Sequence, residues 1–67
     1  MNRLKSGASV LDLLEKDLQG EYAAISMYSK HIESIDIPEI KAKLEEIKSE
    51  EEHHVDELKE LIDKYRG

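Results

Sequence analysis

The sequence predicts an all-helical protein, built as one antiparallel two-helix hairpin that pairs with a second copy to form a four-helix bundle. Its 67 residues include one Pro and three Gly but no Phe, Trp or Cys. Apolar residues recur at alternating spacings of three and four, which is typical of helices packed in a bundle. A chain this small without disulfides needs a metal, an oligomer or both for stability. We expect residues 1–67 to form a single half-bundle domain.

The first helix is predicted over about residues 9–34, with Ser9 as its N-cap. Gly20 interrupts this helix at a cost of about 1 kcal/mol relative to Ala. A glycine in this setting indicates that something approaches the backbone closely. The apolar seam of the helix consists of Leu11, Leu14, Leu18, Ile25, Tyr28 and Ile32.

A turn is predicted at residues 35–37, followed by a second helix over about residues 38–65. Pro38 suits the first turn of a helix, since its missing N–H has no partner to lose there. The apolar seam of the second helix consists of Ile40, Leu44, Ile47, Leu58, Leu61 and Tyr65.

Each seam has a gap, and ionisable residues fill both gaps. Glu21 occupies the seam position between Leu18 and Ile25, while Glu51 and His54 continue the second seam beyond Ile47. A carboxylate among apolar side chains costs several kcal/mol unless it is paired or bound to a cation. The gaps therefore predict a functional site rather than a solvated face.

The two gaps also lie at the same distance from the turn along their helices. Glu21 lies about 15 residues before the turn and Glu51 about 15 after it, so both lie roughly 23 Å from the turn. Two hairpins would then bring together four carboxylates and two imidazoles. The four negative charges of the carboxylates balance the charge of two divalent cations. Such a ligand set suits iron or manganese, with zinc as another occupant. A second Glu-x-x-His register, Glu50 and His53, is rotated about 100° from the seam.

Two segments of the chain resemble the ferritin-like superfamily. Residues 18–28, Leu-Gln-Gly-Glu-Tyr-Ala-Ala-Ile-Ser-Met-Tyr, look like its first iron-binding helix, and residues 51–58, Glu-Glu-His-His-Val-Asp-Glu-Leu, look like the second. The superfamily includes bacterioferritins, rubrerythrins and encapsulated ferritin-like proteins. The two-helix length is most similar to the encapsulated type, which implies a ferritin-like four-helix bundle formed by a homodimer or a larger even-numbered homo-oligomer.

The resemblance implies a di-iron site shared between two chains. Glu21 corresponds to a terminal metal ligand, Glu51 to the bridging ligand and His54 to the nitrogen ligand. Tyr28 corresponds to a tyrosine near the iron pair, although simple core packing is an equally good interpretation. The implied catalytic residues are Glu21, Glu51, His54 and Tyr28.

The implied activity is that of a ferroxidase, which oxidises Fe(II) with dioxygen or peroxide. The alternatives are a di-metal peroxidase or catalase, and a non-enzymatic dimerisation or metal-carrier module whose metal stabilises the fold. Encapsulated relatives imply an encapsulin-type shell as a partner, but the sequence ends at Gly67 without a recognisable docking tail.

Composition restricts the other partners. The net charge is −6, whereas nucleic-acid binding needs a concentrated basic face, so no nucleic-acid partner is expected. No apolar run approaches the roughly 20 residues of a membrane span, and no signal-peptide pattern is present, so no membrane association is expected. The expected location is the cytoplasm, or a protein nanocompartment within it.

Overall fold

A computed structural model describes residues 7–66, which form two α-helices joined by a three-residue turn. Helix α1 spans Gly7–Ser34 and helix α2 spans Pro38–Arg66. The predicted all-helical hairpin is confirmed, and this part of the chain contains no strand. Helix α1 begins two residues before Ser9, so the prediction of Ser9 as N-cap is wrong. The shift lies within the usual uncertainty of a helix end.

The turn is formed as the sequence predicts. Pro38 is the first residue of α2, and the backbone N–H of Lys41 donates to the carbonyl oxygen of Ile37 at 3.0 Å, which closes the first turn. Glu39 lies in the first turn of α2, where a negative charge suits the helix dipole. His31 lies in the last turn of α1, the end that favours a positive charge.

The hairpin is a flat slab that measures 47 × 25 × 15 Å. A thickness of 15 Å corresponds to a single layer of helices, whereas domains normally consist of two or more layers around a core. Among the described residues only Val55 and Ile62 are buried, with 7% and 5% of their surface exposed. These two lie one heptad apart on α2, so the hairpin has a thin core of its own.

The predicted seam of α2 is only partly covered in a single hairpin. Ile40, Leu61 and Tyr65, which belong to that seam, are 42%, 42% and 62% exposed. Val55, which the seam omitted, is buried instead. The reason is that the spacing marks a broad apolar face, and only one edge of that face contacts α1. The other edge is open in a single hairpin. All six seam residues of α1 are half-buried.

Two contacts join the helices outside the apolar seam. Arg66 Nη2 donates to Glu15 Oε1 at 2.6 Å, which ties the end of α2 to the first half of α1. Lys59 Nζ lies 6.0 Å from the centre of the Tyr22 ring, within the range of a cation–π contact. Neither α1 nor α2 contains a stretch that is both long enough and apolar enough to cross a membrane.

Candidate metal centre

Three potential metal ligands meet where α1 and α2 pass each other. Glu21 comes from α1, and Glu51 and His54 come from adjacent turns of α2. One ligand atom from each of the three lies within 4.8 Å of the other two. No other group of three such side chains occurs within residues 7–66. The structure therefore brings together the residues that the two gaps in the seams predict.

His54 contacts both carboxylates. Its Nδ1 lies 3.1 Å from Glu51 Oε1 and 3.8 Å from Glu21 Oε1. An ionised carboxylate only accepts hydrogen bonds, so the contact with Glu51 is a hydrogen bond when His54 carries a proton on Nδ1. The i, i+3 spacing on α2 produces this contact, because side chains three residues apart share one face of a helix.

The three residues, hereafter the triad, are more accessible than the sequence predicts. The side chains of Glu21 and Glu51 are 25% and 22% exposed, and that of His54 is 49% exposed. Partial exposure in one hairpin does not test the site of two paired hairpins, whose burial stays a prediction. The triad lies on the open edge of the apolar face, because α1 and α2 cover only one side of it.

The triad lines an open cleft of about 640 Å³. Asp17 and Glu57 add two carboxylates to it, while Lys16 is its one basic residue. Neither Asp17 nor Glu57 was predicted from the sequence to lie beside the triad. Their spacing could have indicated them, since Asp17 lies four residues before Glu21 and Glu57 three after His54. The full lining consists of Lys16, Asp17, Gly20, Glu21, Glu51, His54, Glu57, Leu58 and Leu61.

Gly20 also lines this cleft, next to Glu21. A Cβ placed on Gly20 would meet nothing within 4 Å. The close approach that the sequence predicts at this position is therefore absent within the hairpin itself.

The donor set of the triad fits a divalent transition metal. Two carboxylate oxygens and one imidazole nitrogen are ligands that iron, manganese and zinc accept. Two carboxylates balance the charge of one divalent ion. Three protein ligands leave coordination positions open for a further ligand or a substrate. The residues present in one hairpin therefore suit one ion.

Other candidate residues lie outside the triad. Tyr28 is half-buried on α1, about 10 Å along the helix from Glu21, and it does not line the cleft. Its predicted role near the metal stays a prediction. Glu50 and His53, the alternative register, are both exposed and do not line the cleft.

Comparison with known proteins identifies one family. The model of the family described as "Ubiquinone biosynthesis protein COQ7" matches residues 8–67. That family is part of the ferritin-like superfamily of di-iron carboxylate proteins, and its members bind a di-iron centre. The encapsulated, bacterioferritin and rubrerythrin types stay unconfirmed. Searches of curated proteins and of solved structures gave no significant match. Since the family model covers both helices and the triad, the chain belongs to the COQ7 family of ferritin-like di-iron carboxylate proteins.

Proposed function

We propose that two copies of this hairpin form a di-iron centre of the ferroxidase type, at which Fe(II) is oxidised by dioxygen. The observation that carries the proposal is the triad of Glu21, Glu51 and His54 on the open edge of the hairpin. The family match supports di-iron oxygen chemistry in general, and the ferroxidase reaction is our more specific proposal.

A second copy would complete the ligand set. Two triads supply four carboxylates and two imidazoles, which is the arrangement of di-iron bundles, where two helices give a Glu each and two give Glu-x-x-His. The half-exposed His54 and the 15 Å thickness of the hairpin both fit a site that another layer covers. The formal charge of −4 from the carboxylates would balance two Fe(II) ions.

The chain's own residues would bind and orient the metal. His54 would give a neutral imidazole nitrogen to the metal in place of its contact with Glu51, and the remaining ring nitrogen would carry the proton. Glu51 would serve as the carboxylate shared by the two metal ions, a role that the resemblance to ferritin-like proteins suggests. Iron supplies one-electron redox chemistry: two Fe(II) ions lose one electron each, and dioxygen takes up both electrons and two protons to give hydrogen peroxide.

The charge of the cleft favours a cation as substrate. Asp17 and Glu57 line it beside the triad, and only Lys16 opposes them. Clefts lined by one sign of charge raise the local concentration of oppositely charged ligands. Fe(II) fits this lining better than a large apolar molecule does.

The test is anaerobic loading with Fe(II) followed by exposure to air. We expect the near-ultraviolet absorbance of ferric iron to develop within seconds to minutes, faster than in buffer. Glu51→Gln and His54→Ala should lose most of this rate. Glu50→Gln and His53→Ala are matched controls one position away, and they should retain it. Equal rates in all four variants would refute the proposed function.

A second candidate follows from the family match. Members of the COQ7 family are di-iron hydroxylases of ubiquinone biosynthesis, so the same centre could hydroxylate an aromatic compound. Leu58 and Leu61 give the cleft an apolar edge that such a substrate could contact. Formation of a hydroxylated product from a quinone precursor, with slow oxidation of free Fe(II), would favour this candidate.

The non-enzymatic alternative makes a different prediction. A structural or carrier module would bind metal and gain thermal stability, but it would show neither iron turnover nor hydroxylation. Measuring metal content, unfolding temperature and oxidation rate on one preparation separates the three functions.

A further inference from the structure

The hairpin has a groove on each side of the plane that contains its two helices. The cleft with the triad lies on one side. A second groove of about 250 Å³ lies on the other, hereafter the back side, and it shares no lining residue with the cleft. Contacts in this groove therefore join α1 to α2 without entering the cleft. The lining of the second groove consists of Glu15, Leu18, Lys59, Ile62, Asp63 and Arg66.

One contact on the back side lies at the height of the triad. Lys59 Nζ of α2 is 6.0 Å from the centre of the Tyr22 ring of α1. Tyr22 directly follows Glu21, so the two residues differ by about 1.5 Å along α1. Lys59 lies about 140° around α2 from His54. Since side chains on a helix lean towards its N-terminus, the Lys59 ammonium group reaches back towards the level of His54.

Glu21 and Tyr22 lie on either side of the line along which α1 faces α2. Consecutive residues of a helix are about 100° apart, and the half-buried Leu18 and Ile25 fall between these two around the helix. If α1 rotates slightly about its own axis, one of the two residues approaches α2 and the other withdraws. A contact that fixes Tyr22 therefore also fixes how far Glu21 reaches across the cleft.

Glu21 is the member of the triad whose position depends on the packing of one helix against the other. Glu51 and His54 share α2, and their contact measures 3.1 Å, whereas Glu21 Oε1 lies 3.8 Å from His54 Nδ1 across the helices. The like charges of Glu21 and Glu51 repel each other without a metal. Gly20 offers no side chain that could hold this turn of α1 in place. The Lys59 contact opposes this loosening.

We propose that Lys59 is a positioning residue for the metal centre. Its contact with the Tyr22 ring holds α1 in the rotation that keeps Glu21 within reach of an ion bound by the other two members of the triad. Lys59 does not line the cleft, so it acts through Tyr22 and not by touching the ion. The inference deepens the proposed function and rests on metal binding by the triad, but it does not depend on the reaction that follows.

The charge of Lys59 by itself predicts the opposite effect. A positive side chain close to an acidic site disfavours a second cation there, so its removal should strengthen metal binding. A positioning role predicts that the same removal weakens metal binding, because Glu21 is then held less well. The direction of the change in affinity therefore distinguishes positioning from simple electrostatics.

Anaerobic titration with Co(II) tests the role, because the visible absorbance of this ion depends on its coordination geometry. We expect Lys59→Gln to raise the dissociation constant about two- to fivefold, which is the effect of losing an exposed cation–π contact. The Co(II) absorbance bands should change as well, since the bond to Glu21 is weakened. Lys59→Arg should restore both the affinity and the bands, because a guanidinium group binds an aromatic face equally well.

Lys64→Gln is the matched control. Lys64 Nζ lies 5.7 Å from the centre of the Tyr65 ring on the same helix, so this change removes the same charge and the same kind of contact without releasing α1. Its Co(II) affinity should be unchanged or slightly higher. Tyr22→Leu should weaken binding as Lys59→Gln does. The double variant should bind no more weakly than either single one, because both changes remove one shared contact.

The outcomes separate this inference from the proposed function. Unchanged or stronger Co(II) binding by Lys59→Gln, or an equal loss in Lys64→Gln, would overturn the positioning role. A lower unfolding temperature in chelator with unchanged Co(II) affinity of the folded variant would also overturn it. Co(II) binding that depends on Lys59, in a protein that does not oxidise Fe(II), would support the inference and refute the ferroxidase activity. A chain that binds no Co(II) would overturn both.

Discussion

His54 is the residue that connects the two helices at the candidate centre. Its Nδ1 lies 3.1 Å from Glu51 on its own helix and 3.8 Å from Glu21 on the other. The imidazole is half-exposed, so a metal ion could reach it without unfolding of the hairpin. The neighbouring His53 is also exposed but lies outside the cleft, which makes the pair a natural comparison.

We expect His54→Ala to lower metal affinity by more than the 10–100-fold that loss of an outer hydrogen-bond partner typically costs, since a direct ligand is removed. The rise in unfolding temperature on adding metal should shrink in parallel. Equilibrium dialysis with metal analysis measures the affinity. His53→Ala should bind metal like the unmodified chain, and equal losses in both variants would contradict the assignment of His54.

Glu21→Gln should have opposite effects without and with metal. Glu21 and Glu51 hold like charges within 4.8 Å of each other, so neutralising one should stabilise the metal-free protein by a few tenths of a kcal/mol. The same change removes a ligand and should reduce metal-dependent stabilisation. Thermal unfolding with chelator and with metal gives both signs, and destabilisation under both conditions would indicate a purely structural role.

The triad was predictable because its members replace apolar residues at fixed seam positions. The positions of Asp17 and Glu57 beside the triad were not predicted, since a charged residue next to a seam has the same sequence pattern as one on a solvated face. The metal-ligand role of the triad and the role of Tyr28 stay predictions.

At the scale of the helices, α2 has two adjacent apolar stripes with different partners. The stripe that contains Val55 and Ile62 packs on α1, and the stripe that contains Leu61 and Tyr65 is open. Heptad spacing gave the helices, the turn at residues 35–37 and the position of Pro38. The predicted seam followed the open stripe at Leu61 and Tyr65 and omitted Val55 and Ile62, because the two stripes, about 90° apart, belong to one broad apolar face.

Ile62→Val tests which stripe forms the hairpin core. Ile62 is 5% exposed, so removing one methylene should lower the free energy of unfolding by about 0.5–1.5 kcal/mol. Ile37→Val makes the same chemical change at a residue that is 55% exposed in the turn, and it should cost less than about 0.5 kcal/mol. Chemical denaturation measures both, and a reversed order would contradict the packing described.

At the scale of the whole molecule, the hairpin is one layer with a functional group on its open side. A single layer covers little apolar surface, and small chains without disulfides depend on a metal or on oligomerisation. The triad and the exposed stripe lie on the same open side, so one event, association of a second copy, would complete the site and bury the stripe. Metal content and dimerisation should therefore be coupled thermodynamically, each strengthening the other.

Native mass spectrometry of the iron-loaded protein tests this coupling most directly. We predict a species of two chains, twice the 7.7 kDa of one chain, that carries two metal ions, together with a shift towards single chains when the metal is chelated. A species of one chain that binds no metal, or a dimer whose population and metal content are unchanged by Glu51→Gln, would contradict it.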